Sequence, residues 1–187
     1  MASSEPPQRQ RYWAKWRGRG HQTPPRVNAS ELFWSFIGSV LGIGAVVLCS
    51  MWFDGTDRIL VIGSLGASSV LVFATPRSPL AQPRNLIGGN LLSALMGVSC
   101  CLAFSRWPIL AAALAVGLAI TVMHLTRTLH PPGGATALVA VIGSPKIHAM
   151  GYLFVLFPAL LAPLILLLIG LVVNNMASKR IYPEYYW

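Results

Sequence analysis

Six apolar stretches, at about residues 32–53, 59–74, 86–105, 108–125, 133–143 and 149–173, occupy most of this 187-residue chain. Four are long enough, at about 1.5 Å per helical residue, to cross a hydrocarbon core of about 30 Å. The second and fifth are short, at the margin or below it. Backbone polar groups in lipid must be satisfied within the chain, and apolar runs of this length achieve that as helices. The sequence therefore predicts an all-α polytopic transmembrane bundle of six helical stretches, two of them short or half-membrane. Residues 1–30 read as a basic, solvated cytoplasmic tail, 31–176 as the transmembrane domain and 177–187 as a cytoplasmic C-terminal tail.

Charge agrees with that division. The 14 Lys and Arg outweigh 5 Asp and Glu, a formal charge of +9. In a polar chain such an excess suggests a nucleic-acid partner. Here Arg9, Arg11, Lys15, Arg17, Arg19 and Arg26 precede the apolar runs and the other basic residues mostly punctuate them, so membrane lipid is the expected partner and nucleic acid is not. If all six stretches cross, Arg77, Arg84, Arg127, Lys179 and Arg180 join the tail on one side, and Arg58, Arg106 and Lys146 lie on the other. A four-crossing arrangement moves most of these loop charges to the far side, so the positive-inside rule favours six crossings with both termini cytoplasmic. An integral protein of a bacterial inner membrane is the expected setting.

Chemistry is limited by what the chain lacks. Glu5, Glu31, Asp54, Asp57 and Glu184 are all its carboxylates, so none lies from Arg58 to Pro183. Carboxylate-pair hydrolysis and carboxylate-ligated metal sites have no parts there. Cys49, Cys100 and Cys101 sit in apolar runs without a CxxC, and His124, His130 and His148 have no metal-ligand spacing. We expect neither an enzyme nor a cofactor or metal.

The two short stretches resemble each other. Gly66-Ala67-Ser68-Ser69-Val70-Leu71-Val72-Phe73 aligns with Gly134-Ala135-Thr136-Ala137-Leu138-Val139-Ala140-Val141, and each soon reaches Ser-Pro beside a basic residue. If the match is a repeat, residues 32–105 and 108–173 are two pseudo-symmetric halves of long, short, long, the second inverted. Paired short segments broken by Gly and Pro in matching positions point to a transporter with a midplane substrate site. The competing explanation is close helix packing by small residues, which we prefer for the scattered Gly42, Gly44, Gly97 and Gly117.

His130-Pro131-Pro132-Gly133-Gly134-Ala135-Thr136 stops one helix and starts another. A helix N-terminus opening at membrane depth favours an anion through its dipole and first N–H groups. Thr136 and Ser68 could add hydroxyl donors, and His130 could orient the turn, donate to the anion or only satisfy exposed carbonyls. Arg84 and Asn85 open the third stretch, where an arginine either binds an anion or sets topology. The candidate substrate-binding set is Gly66, Ala67, Ser68, Ser69, Arg84, Asn85, His130, Gly133, Gly134, Ala135 and Thr136. Asn90, Asn174 and Asn175 read as interhelical hydrogen bonders and caps.

The runs GSLGASSVLVFATPRSPLAQPRNLIGGN (63–90) and HPPGGATALVAVIGS (130–144), with the terminal SKRIYPEYYW, are similar to the HPP family of integral membrane proteins, named for its His-Pro-Pro motif. The resemblance runs from about residue 30 to the end. It implies a four-helix membrane protein by the family's usual description, against the six stretches counted here. It also implies transport, since plastid and cyanobacterial relatives are linked to nitrite uptake. Some relatives carry regulatory CBS domains, which this sequence is expected to lack. A transporter or channel for a small inorganic anion, nitrite first, assembled as a homo-oligomer, is the expected function. A membrane scaffold or regulatory subunit and an intramembrane enzyme using His130 with Ser68 or Ser69 are the alternatives.

Overall fold

The computed structural model describes residues 26–186, so expectations for the basic tail before Arg26 lie outside the described residues. The described chain is all helical. Its elements are α1 (Ala29–Cys49), α2 (Gly55–Ala74), α3 (Pro83–Ala103), α4 (Pro108–Leu125), α5 (Pro131–Ile142), α6 (Pro145–Met150), α7 (Leu153–Leu156) and α8 (Leu161–Met176). One-turn 3-10 pieces at Ser50–Trp52 and Pro79–Ala81 extend the first helix and precede the third. The starts follow from local chemistry. Asn28 caps α1 by accepting the Glu31 N–H at 2.9 Å. The helices α3, α4, α5 and α6 each open on proline, whose missing N–H costs nothing in a first turn.

Five segments are long and apolar enough to cross a membrane: Ala29–Trp52, Gly55–Ala74, Pro83–Ala103, Pro108–Leu125 and Leu153–Met176. The twelve-residue α5 is the shorter apolar helix, about 18 Å long. Two features differ from the sequence reading. The second stretch is not short: α2 begins at Gly55, because Asp57 sits in its first turn, where a carboxylate complements the helix dipole and is buried against Ser144. The sixth stretch is not continuous. Proline disfavours the α region for the residue before it, and Phe157, ahead of Pro158, is extended (φ −139°, ψ 118°), so α7 ends there and α8 restarts at Leu161.

The hydrogen bonds at the two ends of the bundle fix the path. At one end Arg180 reaches Glu31, Arg84 reaches Thr126 and Asn85 reaches Leu129. At the other, Asp57 accepts from Ser144, and Lys146 donates to Trp52 O at 2.9 Å and to Asp54 at 3.3 Å. The chain thus passes along the bundle six times, with Arg26 and Arg180 at the same end. The broken sixth stretch makes one pass, and four passes would separate these partners. Cysteines replacing Arg127 and Lys146, in a background without Cys49, Cys100 and Cys101, are expected to react with a membrane-impermeant maleimide from opposite faces of sealed vesicles. Labelling of both from one face would refute the six-pass path.

Helix α3 is the centre of the packing, touching α4, α5, α7 and α8, and α2 packs on α1, α5 and α8. The contact of α3 with α5 is close enough to require glycine. A Cβ on Gly133 would stand 2.6 Å from Ser93 Oγ and 3.0 Å from Gly89 O, and one on Gly97 would collide with the Ala137 backbone. This close approach brings the polar side chains of α2, α3 and α5 together.

Candidate functional site

Helix α2 carries Asp57, Val61, Ser64 and Ser68 at spacings of four, three and four, which place them on one face, and that face meets α5 running antiparallel. Ser64 is the tenth of the twenty residues of α2 and so lies at mid-depth. Its Oγ is 2.8 Å from Thr136 Oγ1 and donates to Pro132 O at 3.1 Å. Thr136 Oγ1 donates to Asn90 Oδ1 at 2.6 Å, and Asn90 Nδ2 donates to Leu86 O. Ser64, Asn90 and Thr136 are all buried, Asn90 completely.

One helical turn along α2, Ser68 Oγ lies 2.8 Å from His130 Nε2. His130 Nδ1 lies 2.8 Å from Leu80 O. A carbonyl only accepts, so Nδ1 carries a proton; when the ring is neutral, Nε2 accepts the Ser68 hydroxyl. His130 is held there by the turn that delivers it. Helix α4 ends with Arg127 in the left-handed region (φ 57°), with Arg127 N–H on His124 O and Thr128 N–H on Met123 O, a Schellman closure. Arg84 Nη2 then donates to Thr126 O at 2.7 Å, and Asn85 Nδ2 to Leu129 O at 2.8 Å.

A cavity of about 10 Å³ adjoins the mid-depth cluster, walled by Ser64, Asn90, Thr136, Phe154, Pro158 and Ala159 among others. This is room for about one water molecule. Its far wall is the break between α7 and α8, and irregular backbone at membrane depth is tolerated only where protein covers it or a cavity adjoins it.

Ten of the eleven sequence candidates fall into three groups, and Ser69 stands apart. Ser68, His130 and Thr136 converge with Ser64 and Asn90. Arg84, Asn85 and Gly133 shape the site without facing the cavity: the first two brace the turn and Gly133 admits α3. Gly66, Ala67, Gly134 and Ala135 are turned elsewhere. Gly66 faces Ile43 of α1, Gly134 lies near Val116 of α4, and Ala67 and Ala135 are on the exposed surface. Ser69 is buried with no hydrogen-bond partner for its hydroxyl.

The expected amide site at the start of α5 is corrected. Pro131 and Pro132 have no N–H, and the Gly133 N–H is bonded to His130 O at 2.8 Å, so the first three residues offer no free donor. The donors gathered at mid-depth are side-chain hydroxyls and an amide. Sequence reasoning passed over Ser64 and left Asn90 outside the site. The signal for Ser64 was the four-residue step to Ser68, on the helix face later found against α5. Asn90 is the interhelical hydrogen bonder expected of it.

Above His130, the segment 75–82 and the C-terminal tail close one end of the bundle. Tyr182 Oη donates to Ala81 O at 2.8 Å, Gln82 Oε1 accepts the Glu184 N–H at 2.8 Å, and Arg77 donates to Lys179 O at 2.7 Å. Burial, and then the nearby Tyr186, push the Tyr182 phenol well up from its ordinary value, so it stays protonated to make this bond. Arg180 is also buried in this closure, on Glu31, Ser35, Phe73 O and Asn174.

Among known proteins, residues 24–183 match the family profile described as "HPP, transmembrane region". Two transmembrane proteins of Dictyostelium discoideum are 41% and 44% identical over 182 residues, 94% of this chain in each case. The chain spans 57% and 63% of those relatives' own lengths. No solved structure matches it.

Proposed function

The chain belongs to the HPP transmembrane family, and from that premise we propose that it moves a small monovalent anion, nitrite first, across the membrane. The observation carrying this reading is the mid-depth convergence of Ser64, Asn90 and Thr136 on one wall of a small, otherwise apolar cavity beside the break in the sixth pass. Hydroxyl and amide groups are donors suited to replacing the water around a small anion, and nothing anionic competes with it there. In the described conformation they bond one another and leave room for about one water, so the site is shut.

Opening it calls for helices to move as groups, and the packing supports two related groups. Exchanging α1 with α4, α2 with α5 and α3 with α8 maps every well-packed pair among these six helices onto another such pair or onto itself. The alignment of Gly66 with Gly134 sets Ser64 against Pro132, 68 positions on, and Ser64 donates to Pro132 O. Contact between a residue and its own counterpart is what an axis between α2 and α5 requires. Alternating access by rocking of inverted halves fits this pattern. The end holding Arg77, Arg84, Arg127, Lys179 and Arg180 faces the cytoplasm in this reading.

The test is nitrite flux into vesicles reconstituted with purified protein. Thr136→Val and Ser64→Ala, which remove donors at nearly constant volume, are each expected to lower flux by about tenfold, the loss of roughly 1.4 kcal/mol of anion stabilisation. Wild-type flux in both folded variants would remove the site. A second reading rests on Ser68 and His130, whose hydrogen bond and carbonyl-held Nδ1–H have the form of a nucleophile and its base. Both residues are inaccessible, so hydrolysis of a model ester by detergent-purified protein, lost in Ser68→Ala, would be needed to favour it.

A further inference from the structure

Apart from thiols, the ionisable side chains buried among the described residues are Asp57, His130, Arg180 and Tyr182. Three are committed elsewhere. Asp57 takes both donors of Ser144 at the far end, Arg180 is ion-paired with Glu31, and Tyr182 donates to Ala81 O. His130 alone has a ring nitrogen whose only partner is a hydroxyl that can reverse, and that hydroxyl is one helical turn, about 6 Å, from the cavity cluster.

From this, and resting on the anion-transport reading above, we infer that the anion travels with a proton and that His130 Nε2 is the proton's binding site. A lone monovalent anion at mid-depth is expensive to desolvate, and donors without net charge offset only part of that cost. A proton on Nε2 makes the ring a cation one helical turn from the anion, with Ser68 between them, so the occupied region carries no net charge. The hydrogen bonds rearrange without breaking the array. Nε2–H now donates to Ser68 Oγ, and the Ser68 proton turns toward Ser64 O, already 3.4 Å away. Nδ1–H stays on Leu80 O. On the opposite side the anion leaves, Nε2 gives up the proton, and Ser68 turns back. One proton and one anion cross together, with no net charge moved.

The charged and titratable groups on the surrounding elements do not substitute for the ring. Helix α2 carries Asp57 and Arg58, ten or more positions from Ser68; α3 carries Arg84, bonded to Thr126 O, and the thiols Cys100 and Cys101. Helix α4 ends with the exposed His124 and Arg127, and α5 has no ionisable residue. Segment 75–82 has only Arg77, held by Lys179 O and Glu184, and the tail brings Lys179, Arg180, Tyr182 and Glu184.

Two measurements on the full chain test the proposal. In lipid nanodiscs at neutral pH, the 15N-histidine signal lost in His130→Gln should report a neutral, Nδ1-protonated ring without anion and a doubly protonated ring with saturating nitrite. In reconstituted vesicles, the initial rate of nitrite entry in excess of that of nitrous acid into protein-free vesicles should rise several-fold under an inward gradient of one pH unit and should not respond to a membrane potential. An internal pH dye should record one proton per anion. Both measurements are made on the natural sequence, and the gradient result holds even where His130→Gln fails to fold. If nitrite raises the melting temperature or enters the vesicles while the ring stays neutral or uptake ignores the gradient, the proton proposal is overturned and the anion reading stands. If neither nitrite nor nitrate stabilises the protein or crosses, both fall.

Discussion

Replacing Arg180 with methionine is expected to destabilise the folded protein by about 3–5 kcal/mol, the usual cost of removing one partner from a buried ion pair. The side chain is 2% exposed and its guanidinium serves five acceptors: Glu31 Oε2, Glu31 O, Ser35 Oγ, Phe73 O and Asn174 Oδ1. Methionine fills similar space but leaves the Glu31 carboxylate and the buried Asn174 Oδ1 without their donor, while Phe73 O keeps only the Ser35 hydroxyl. The loss is concentrated where α1, α2 and α8 meet the tail, so protease sensitivity should appear first in residues 177–186. Arg180→Lys keeps the charge but lacks the fork that reaches several acceptors, and it should recover only part of the loss. Urea or thermal denaturation in detergent, with limited proteolysis, measures both. A methionine variant as stable as the natural chain would show that the tail is not fastened as described.

Gly97→Val is the second large effect expected. In a helix interior valine is favoured over glycine by a few tenths of a kcal/mol in propensity. Against that, the first added carbon collides with Ala137 O and lies 2.9 Å from Ala137 Cα, and backbone cannot swing aside as a side chain can. Overpacking costs about 1–3 kcal/mol where neighbours can shift, and more where they cannot. The variant should fold poorly, or separate α3 from α5 and disrupt the Asn90–Thr136 bond that depends on their approach. Gly117→Val, at a position with open space around it, is the control and should be near neutral. Comparable melting temperatures for the two variants would contradict the close packing.

These particular residues show how far the sequence could be read. The six helical stretches were legible in hydropathy, but it was the distribution of Lys and Arg, and not the lengths of those stretches, that favoured six passes; the Arg180 to Glu31 bond agrees with that path. The beginning of α2 was not, because Asp57 and Arg58 look like a loop until Ser144, far along the chain, is seen to accompany the carboxylate. The break at Phe157 was available in principle from Pro158, but the surrounding leucines concealed it in a hydropathy average. At the site, Ser68, His130 and Thr136 could be found from the turn and the repeated motif. Ser64 could not, since that motif begins at Gly66 and the relevant signal was the pitch of α2. The anion-binding amides failed for a local reason: the prolines that make α5 start are residues with no N–H to offer.

The brevity of α5 has a consequence for the end of the chain. His130 is level with Ser68, six residues short of the end of α2, so a depression of about 9 Å would exist on that face if α5 and its turn were all that filled it. Leu80, Ala81 and the tail through Glu184 occupy that space, so the C-terminal segment is the stopper of that end of the bundle, and without it the buried His130 would lie open to that side.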